Sequence, residues 1–291
     1  MHAFSRASDS SVVWITGAGG LLGHQMIVQA PVPASGLSTR GILRSEVDLR
    51  DSKAVRTLFT RERPAIIVHC AALSKNPACT ADPILAHEVN VETPRFLSEL
   101  IVGGKFVFIS TDLVFDGAVG NYHEESDVNP LSVYAETKVH AETIAREHPD
   151  HLIVRLSLNA GVSPTKDRGF NEEMRLAWQQ GRGLDLFVDE YRNPMPVKQT
   201  ARALWQLIEK GASGTFHLAG SERLSRYEIG QLVAGRYSHL SPRINPTSLK
   251  DYHGAPRSPD TSLDCTKVQK QLSFPLPKFS EWVTSCSDEE I

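Results

Sequence analysis

The sequence of 291 residues has no excess of basic charge. It contains 31 Lys and Arg against 34 Asp and Glu, for a formal net charge of −3, and it shows no basic stripe. A protein that binds nucleic acid usually concentrates Lys and Arg on one face to meet the phosphates. The composition therefore argues against a nucleic-acid partner.

Long hydrophobic runs are also missing. The longest, at residues 65–68 and 106–109, have the length of a strand, far short of the roughly 20 apolar residues that span a membrane. Residues 1–11 are polar and lack the apolar core of a signal peptide, so we expect a flexible leader there. We therefore expect a cytoplasmic protein without a membrane contact.

Cysteine is scarce. The four cysteines (Cys70, Cys79, Cys265 and Cys286) are scattered without the short spacings of metal ligands. This pattern predicts reduced thiols, as is usual in the cytosol, and no metal site.

Alternating segments dominate the first half of the chain. Strand-like runs lie at 12–16, 37–40, 46–49, 65–69, 106–110 and 152–156, and helix-like segments lie at 21–29, 51–63, 83–100 and 134–148. Asp51 is the predicted cap of the second helix. Strands separated by helices imply right-handed crossovers and a parallel sheet covered on both faces. The pattern predicts a doubly wound α/β fold.

The rhythm changes after residue 157, where Pro and Gly become frequent. We predict a larger domain at 12–160, to which 195–220 return as a helix and a strand. Residues 161–194 and 221–291 would form a smaller C-terminal substrate lobe. The connector at 157–170 is a candidate to fold over the substrate.

The stretch WITGAGGLLGHQM places three glycines after the first predicted strand, with the spacing G-x-x-G-x-x-G. Gly17 can adopt positive φ for a sharp turn, Gly20 lets the backbone approach a pyrophosphate, and Gly23 lets the helix pack on the strand. Leu22 fills the place of the last glycine in the G-x-G-x-x-G form. The alternative is a structural turn, but the strand–turn–helix context favours a Rossmann-type dinucleotide site.

The second predicted strand bears on the choice of dinucleotide. It offers Ser38, Thr39 and Arg40, with no carboxylate before Glu46. A carboxylate there would bond the ribose hydroxyls of NAD, whereas an arginine suits the 2′-phosphate of NADP. Arg40 could also be an ordinary surface arginine. The pattern favours NADP(H) over NAD(H).

Tyr134 and Lys138 are four residues apart at a helix start and project from one face. Thr111 ends a predicted central strand, where its hydroxyl can reach the same pocket. A carbonyl that receives hydride develops negative charge on oxygen, and a phenol can supply the proton. We expect the Lys138 ammonium to lower the phenol pKa and Thr111 to hold the carbonyl oxygen. These three are the predicted catalytic residues.

Taken in order, these motifs resemble the extended short-chain dehydrogenases/reductases. The chain is most similar to the dTDP-4-dehydrorhamnose reductase group, through ACTADPILAHEVNV, STDLVFDG, VYAETKVHAE, GTFHLAGSERLSRYE and RSPDTSLDCTK. The resemblance implies a homodimer and a structural role for Asn90, whose side chain would tie the central strands together. It implies cofactor contacts from Gly17, Gly20, Leu21, Leu22, Arg40, Asp48, Leu49, Ala71, Ala72, Leu73, Tyr134 and Lys138. Asp48 and Leu49 would end a third strand and border the adenine.

The resemblance is weaker where the substrate should bind. Relatives usually carry an aromatic after S-T-D and a tryptophan after the strand ending in Arg-x-Ser, where this chain has Leu113 and Leu158. The resemblance implies reduction of a keto group on a nucleotide-activated sugar. The candidate substrate-binding residues are Thr111, Asp112, Leu158 and Arg257, with Asp189 and Tyr191 in the smaller lobe. Arg257 would bond a diphosphate or form a surface ion pair.

Two alternatives stay open. Related 4,6-dehydratases place Asp and Glu together after the Thr, whereas Leu113 follows Asp112 here, so an epimerase or dehydratase is less favoured. The regulatory β subunit of methionine adenosyltransferase also resembles this chain. A non-catalytic NADP-binding subunit of a partner enzyme is therefore the second alternative.

Overall fold

The structure is a computed structural model that describes residues 11–31 and 36–291. Residues 1–10 of the expected leader lie outside the described residues, whereas Ser11 begins the first strand. Within the described residues, no helix is long and apolar enough to cross a membrane.

The elements alternate through the first half of the chain. The strands are β1 (Ser11–Thr16), β2 (Leu37–Ile42), β3 (Ile66–His69), β4 (Lys105–Thr111), β5 (His151–Leu156), β6 (Asn159–Ala160), β7 (Leu184–Phe187), β8 (Tyr191–Arg192), β9 (Met195–Pro196), β10 (Gly214–Leu218), β11 (Leu224–Ser225) and β12 (Ile244–Thr247). The helices are α1 (Leu21–Val28), α2 (Ser52–Glu62), α3 (Asn76–Ala81), α4 (Pro83–His87), α5 (Thr93–Leu100), α6 (Val133–Glu147), α7 (Phe170–Gln179), α8 (Val197–Glu209), α9 (Arg226–Arg236), α10 (Thr266–Gln269) and α11 (Phe279–Ser285).

A parallel sheet forms the centre of the described chain, with six strands in the order β10-β5-β4-β3-β1-β2. The predicted doubly wound α/β fold is confirmed. The chain leaves β1 toward β2 on one side and continues from β3 toward β10 on the other, so the strand order reverses between β1 and β3. Ligands of such sheets bind in the crevice at this reversal, outside the carboxyl ends of the strands.

Helices cover both faces of the sheet. On one face, α8 buries an apolar stripe that includes Ala201, Leu204 and Trp205, and the Trp205 indole donates a hydrogen bond of 2.9 Å to the main-chain oxygen of Met26 in α1. On the other face lie α2, α5 and α6. Asp51 caps α2 as predicted, because its carboxylate accepts from the first-turn N–H groups.

The predicted strand at 46–49 is wrong. The chain forms two successive turns after β2, in which the Val47 N–H donates to the Leu43 oxygen at 3.1 Å and the Asp51 N–H to the Asp48 oxygen at 2.9 Å. Only Val47 of this segment is buried, so a strand would have no apolar face to pair through. The second strand also extends beyond its predicted end, to Ile42.

The predicted helix at 83–100 is interrupted by a π-helical turn at Glu88–Glu92. The Thr93 N–H donates to the Glu88 oxygen, five residues earlier, and the Thr93 hydroxyl donates to the same oxygen at 3.0 Å. The next residue, Pro94, has no N–H to donate to the oxygen four residues before it. Such turns are frequent at functional sites, and this one carries Asn90.

A separate hydrophobic cluster lies beyond the sheet, formed by α7, α9 and α11. Trp178, Ile229 and Phe279 are buried in it, next to the paired strands β7 and β12. The predicted returning segments are present as α8 and β10, and β10 pairs parallel to β5. The division into two lobes at the predicted boundaries stays a prediction.

Candidate active site

The glycine turn lies at the carboxyl end of β1. Gly17 has φ +67°, and a Cβ added there would lie 2.7 Å from the Ala71 nitrogen. A Cβ at Gly23 would lie 2.3 Å from the Gly17 oxygen, so α1 can pack this close to the turn only because residue 23 has no side chain. Gly20 begins α1 without a side-chain cap, and no acidic residue occupies the first turn. Uncapped N–H groups at a helix start fit the pyrophosphate of a dinucleotide.

The loop after β3 lines the other side of this crevice. The Thr16 hydroxyl lies 2.9 Å from Nδ1 of His69 and accepts a hydrogen bond from the Ala71 N–H at 3.3 Å. Ala72 is exposed, and Leu73 is half-buried. The structure thus brings Ala71, Ala72 and Leu73 beside the glycine turn.

Asn90 holds this loop against α6. Its side chain accepts from the Leu73 N–H at 2.8 Å and donates to the Leu73 oxygen and the Thr137 hydroxyl, both at 3.0 Å. The expectation that Asn90 ties the central strands together is therefore wrong, because the π-helical turn directs its amide to the loop and helix α6.

Arg40 is engaged by carboxylates. It lies within β2, two residues before the strand ends, and its guanidinium bonds Glu46 and lies 3.6 Å from Glu62. Burial would lower the pKa of Arg40, but the hydrogen bond and charge of Glu46 raise it above its usual value, with Glu62 adding to this.

Arg44 is exposed in the first turn after β2 and forms no ion pair within the described residues.

Asp48 and Leu49 lie in the second of the two turns. Asp48 accepts from Nη2 of Arg50 at 2.7 Å, and hydrogen bonds from Arg50 lower the pKa of Asp48 to about 2. Leu49 is half-buried and packs on the core under α2. The position expected for these two residues, at the end of a third strand, is wrong because the strand is absent.

Thr111 and Tyr134 meet where β4 ends and α6 begins. The Ser132 hydroxyl caps α6 by accepting from the Ala135 N–H at 3.3 Å, which places Tyr134 in the first turn. Thr111 is buried, Tyr134 is half-buried, and the Thr111 hydroxyl lies near enough to the phenol to lower its pKa in part.

The environment keeps the Tyr134 phenol protonated. Burial raises the pKa of Tyr134 above its usual value, the charge of Asp112 and the Cys79 thiol raise it further, and the Thr111 hydrogen bond lowers it only in part. A neutral phenol can act as the acid in a carbonyl reduction.

Lys138 is directed into the protein. Its Nζ atom donates to the Ile109 oxygen at 2.7 Å and lies 3.9 Å from the centroid of the Phe108 ring. Burial lowers the pKa of Lys138 to about 7, against the opposing influence of Glu142 and Cys70. The expectation that the Lys138 ammonium lowers the pKa of Tyr134 is wrong in this structure, because burial controls the phenol and Lys138 bonds the strand.

Asp112 connects the end of β4 to segments from the second half of the chain. Its buried carboxylate accepts from the Ser157 hydroxyl at 2.8 Å and the Thr261 hydroxyl at 3.1 Å, and Nη1 of Arg192 lies 3.9 Å away. Leu158 follows Ser157 and packs, half-buried, against the hydrophobic cluster of α7, α9 and α11.

Three arginines gather at buried Glu190. Arg257 donates two hydrogen bonds to its carboxylate, at 2.6 and 3.1 Å, and Arg192 donates one at 3.2 Å. Burial would raise the pKa of Glu190, but the Arg257 hydrogen bond and the charges of Arg192, Arg257 and Arg226 keep it below the usual value. Arg257 thus forms an ion pair with a buried partner, and its bond to a diphosphate stays a prediction.

Arg226 was missed by the sequence reasoning. Its N–H donates to the Glu190 oxygen at 2.8 Å, and its guanidinium lies 5.8 Å from the centroid of Phe170 without a side-chain hydrogen bond in the described part of the chain. Burial lowers its pKa to about 10, with Glu190 and Asp112 opposing. The only hint in the sequence is that Arg226 lies in the SERLSRYE part of a motif that carries the family resemblance.

The other two candidates of the smaller lobe hold loops. Asp189 accepts from the Ser248 hydroxyl at 2.6 Å and the Leu249 N–H at 2.8 Å. The Tyr191 ring lies 3.5 Å below the Arg223 guanidinium. Among the described residues, no group of His, Cys, Asp or Glu has the arrangement of a metal site.

Comparisons with known proteins agree with this architecture. The family model described as the RmlD substrate binding domain matches residues 11–291. The chain is 30% identical over 271 residues to methionine adenosyltransferase 2 subunit beta of Pongo abelii, covering 88% of this chain and 81% of the relative. It is 28% identical over 285 residues to the probable low-salt glycan biosynthesis reductase Agl14 of Haloferax volcanii, covering 92% and 94%.

Solved structures share the fold. The dTDP-4-dehydrorhamnose reductase of Bacillus anthracis, in complex with NADP, superposes with a TM-score of 0.84 at 24% identity, covering 94% of this chain and 98% of that one. A hypothetical dTDP-4-dehydrorhamnose reductase of Sulfolobus tokodaii superposes with a TM-score of 0.80 at 27% identity, covering 92% and 97%.

Proposed function

Because the chain belongs to the RmlD substrate-binding domain family, we propose that it is an NADPH-dependent reductase of a keto group on a nucleotide-activated sugar. The observation that carries this proposal is the place where β4 ends at Thr111 and α6 begins, with a buried hydroxyl beside a protonated Tyr134 phenol. It lies at the same edge of the sheet as the uncapped glycine turn, two strands away.

The proposed chemistry is a proton transfer coupled to reduction. The bound cofactor supplies hydride to the carbonyl carbon, which develops negative charge on oxygen. Thr111 orients that oxygen, and Tyr134 donates its phenolic proton to it. Burial keeps the Tyr134 pKa above its usual value, so the phenol holds its proton at neutral pH until the oxygen becomes basic. Lys138 donates one hydrogen bond to the Ile109 oxygen, and another of its three N–H groups would bond the nicotinamide ribose.

Arginines of the smaller lobe support a nucleotide-activated substrate. Arg192, Arg226 and Arg257 bring three positive charges to two buried carboxylates, Glu190 and Asp112. The Arg226 guanidinium has no hydrogen bond to the residues that the structure describes, so it would be available to bond the phosphate oxygens of a diphosphate.

The residues that follow Thr111 favour reduction over elimination. Leu113 follows Asp112 and supplies no second carboxylate there. A dehydratase needs an acid and a base at this place, so we rank it below the reductase.

We infer a preference for NADP(H). The NADP complex of the Bacillus anthracis reductase supports a nicotinamide cofactor in this fold. In this chain Arg44, exposed in the turn after β2, suits a 2′-phosphate better than Arg40, which is occupied by Glu46.

A second candidate is a non-catalytic, cofactor-binding subunit of a partner enzyme. It is favoured by the 30% identity to a protein named as subunit beta of methionine adenosyltransferase 2. A regulatory subunit can keep the fold and the tyrosine without turnover.

The test is NADPH oxidation with a panel of nucleotide-linked keto-sugars. We expect turnover by the wild type and a 10²- to 10⁴-fold lower kcat, on the order of a lost general acid, for Tyr134→Phe. Tyr237→Phe is the matched control, since its buried hydroxyl has no hydrogen-bond partner among the described residues. Tight NADPH binding without turnover across the panel, together with co-purification of a methionine adenosyltransferase, would support the regulatory subunit instead.

A further inference from the structure

A buried carboxylate lies one helical turn after Lys138. Glu142 accepts hydrogen bonds from the Ser110 hydroxyl at 2.6 Å, from Nε and Nη2 of Arg155 at 2.9 and 2.8 Å, and from Nη2 of Arg146 at 2.7 Å. Glu142 and Arg155 are almost fully buried. The proposed proton transfer does not use this group.

These contacts belong to a regular connection between β4 and α6. Two consecutive residues of β4 each hydrogen-bond one side chain of the helix, Ile109 to Lys138 and Ser110 to Glu142. The next residue of the strand, Thr111, lies beside Tyr134. The side-chain bonds of Lys138 and Glu142 therefore help to set the register of the two elements.

Glu142 is four residues after Lys138 in α6, so both side chains project from the same side of the helix. The other titratable groups near Lys138 are His69 at the end of β3 and Cys70 in the following loop. Burial and the Lys138 charge lower the pKa of His69 to about 3, and burial raises the pKa of Cys70 to about 12, so both are neutral at pH 7. Burial lowers the pKa of Lys138, and the Glu142 charge opposes that shift.

Arg155 extends the connection across the sheet. It pairs in register with Ser110 on one side and His217 on the other, and it donates to the Glu124 oxygen at 3.3 Å. Glu142 is thereby fixed by strands on the side of the site opposite to the glycine turn.

We propose that Glu142 is a positioning residue for Lys138, in the reductase function proposed above. Its carboxylate holds α6 in register with β4 and places a negative charge one helical turn from Lys138, which favours the ammonium form. Removing that charge should make Lys138 lose its proton at lower pH.

The first test needs no substrate. The Nζ resonance of Lys138, identified by its loss in Lys138→Met, is titrated by nitrogen-15 NMR in the wild type, Glu142→Gln and Glu136→Gln. We expect the Lys138 midpoint to fall by about one pH unit in Glu142→Gln, as for loss of a nearby opposite charge. Glu136→Gln removes the same charge two residues from Lys138 but on the exposed face, so its midpoint should match the wild type. An unchanged midpoint in Glu142→Gln overturns the proposal, whether or not the chain is a reductase.

The second test separates positioning from folding. Glu142→Gln leaves Arg155 buried without its partner, whereas the double variant Glu142→Leu/Arg155→Met replaces the pair by apolar residues, which proteins often tolerate. In the folded double variant the Lys138 midpoint should again fall, and the high-pH limb of kcat/KM should move to lower pH with it. The conservative variant Glu142→Asp keeps the negative charge, so its Lys138 midpoint and its kcat/KM profile should match those of the wild type. A double variant with the wild-type Lys138 midpoint would reduce Glu142 to a structural role.

Discussion

The Nζ atom of Lys138 donates a hydrogen bond of 2.7 Å to the main-chain oxygen of Ile109. The bond ties the predicted catalytic helix to the strand that ends in Thr111, and it buries an ammonium beside the Phe108 ring. A buried ammonium favours its neutral form, which lowers the pKa of Lys138 from 10.5 to about 7.

Lys138 should make stability depend on pH. Its folded-state pKa lies below the unfolded value, so between pH 7 and 10 the unfolded chain binds more protons and the free energy of unfolding rises with pH. The wild type should gain about 2 kcal/mol from this group between pH 7 and 9, and Lys138→Met should lack that gain. Urea unfolding of both proteins at these pH values measures the difference. Parallel pH dependences would contradict a buried, depressed Lys138.

The glycine turn should tolerate alanine at one glycine and reject it at another. Gly17→Ala forces positive φ on a side chain and a contact of 2.7 Å with the Ala71 nitrogen. We expect a loss of about 1–3 kcal/mol in unfolding free energy, with at least a tenfold weaker NADPH affinity. Gly19→Ala is the matched control, because its Cβ would meet only Leu43 at 3.6 Å. Equal effects of the two substitutions on unfolding and on titrated NADPH binding would refute this reading of the turn.

The sequence predicted the parts of the site that depend on local pattern. The glycine turn and the pair of Tyr134 and Lys138 follow from spacing along one strand–helix junction or one helix face. Thr111 was found because the carboxyl ends of parallel strands meet at one edge. These positions require only that the alternating pattern be assigned correctly.

The errors and omissions depend on contacts between distant segments. The ion pairs of Arg40 with Glu46 and with Glu62 of α2 depend on the turn after β2 and on helix packing, which the strand pattern does not reveal, and its contact with the cofactor stays a prediction. Arg226 reaches the site because β11 pairs with β8 and brings it beside Glu190. The lowered pKa of Lys138 follows from its burial between α6 and β4, and that burial depends on how the whole chain packs.

Selectivity for NADPH should depend on Arg44. A charge-assisted bond to the 2′-phosphate is worth about 1.5–3 kcal/mol, so Arg44→Ala should weaken NADPH binding roughly 10- to 100-fold and leave NADH binding unchanged. Arg40→Ala is the comparison, and it should affect both nucleotides alike because Arg40 bonds Glu46. Fluorescence titration with each nucleotide provides the affinities. If only Arg40→Ala lost the preference for NADPH over NADH, Arg40 and not Arg44 would bind the 2′-phosphate.

Substrate affinity should depend on Arg226. Loss of its bond to a diphosphate should raise KM for the nucleotide-sugar about 10- to 100-fold in Arg226→Gln, with a smaller change in kcat because the group lies away from the reacting carbonyl. Arg202→Gln, an exposed arginine of α8 that stacks on Phe274, is the control. Steady-state kinetics at saturating NADPH separate the two constants. An unchanged KM in Arg226→Gln would place the diphosphate elsewhere.

The connector at 157–170 is held more firmly than its Gly and Pro content suggests. The buried Glu172 carboxylate accepts hydrogen bonds from the Arg168 and Gly169 N–H groups at 2.9 and 2.7 Å, and from the N–H and hydroxyl of Ser163, both at 2.8 Å. One side chain thus closes the loop on itself at the start of α7. Any closure over substrate must involve the exposed tip at 164–167, because the ends are fixed.

Glu172→Gln should therefore loosen the loop without unfolding the lobe. The amide keeps one acceptor oxygen and gains an N–H group that faces other donors, so amide exchange at 163–169 should accelerate about 10- to 100-fold, as expected for the loss of 1.5–3 kcal/mol in charged hydrogen bonds. Glu173→Gln is the adjacent control: its exposed carboxylate lies 2.9 Å from Nζ of Lys75 and does not bond the loop. Hydrogen exchange measured by mass spectrometry resolves this segment from α7. Because both variants remove one charge from the same helix turn, equal exchange in the two would show that the Glu172 carboxylate does not hold the loop.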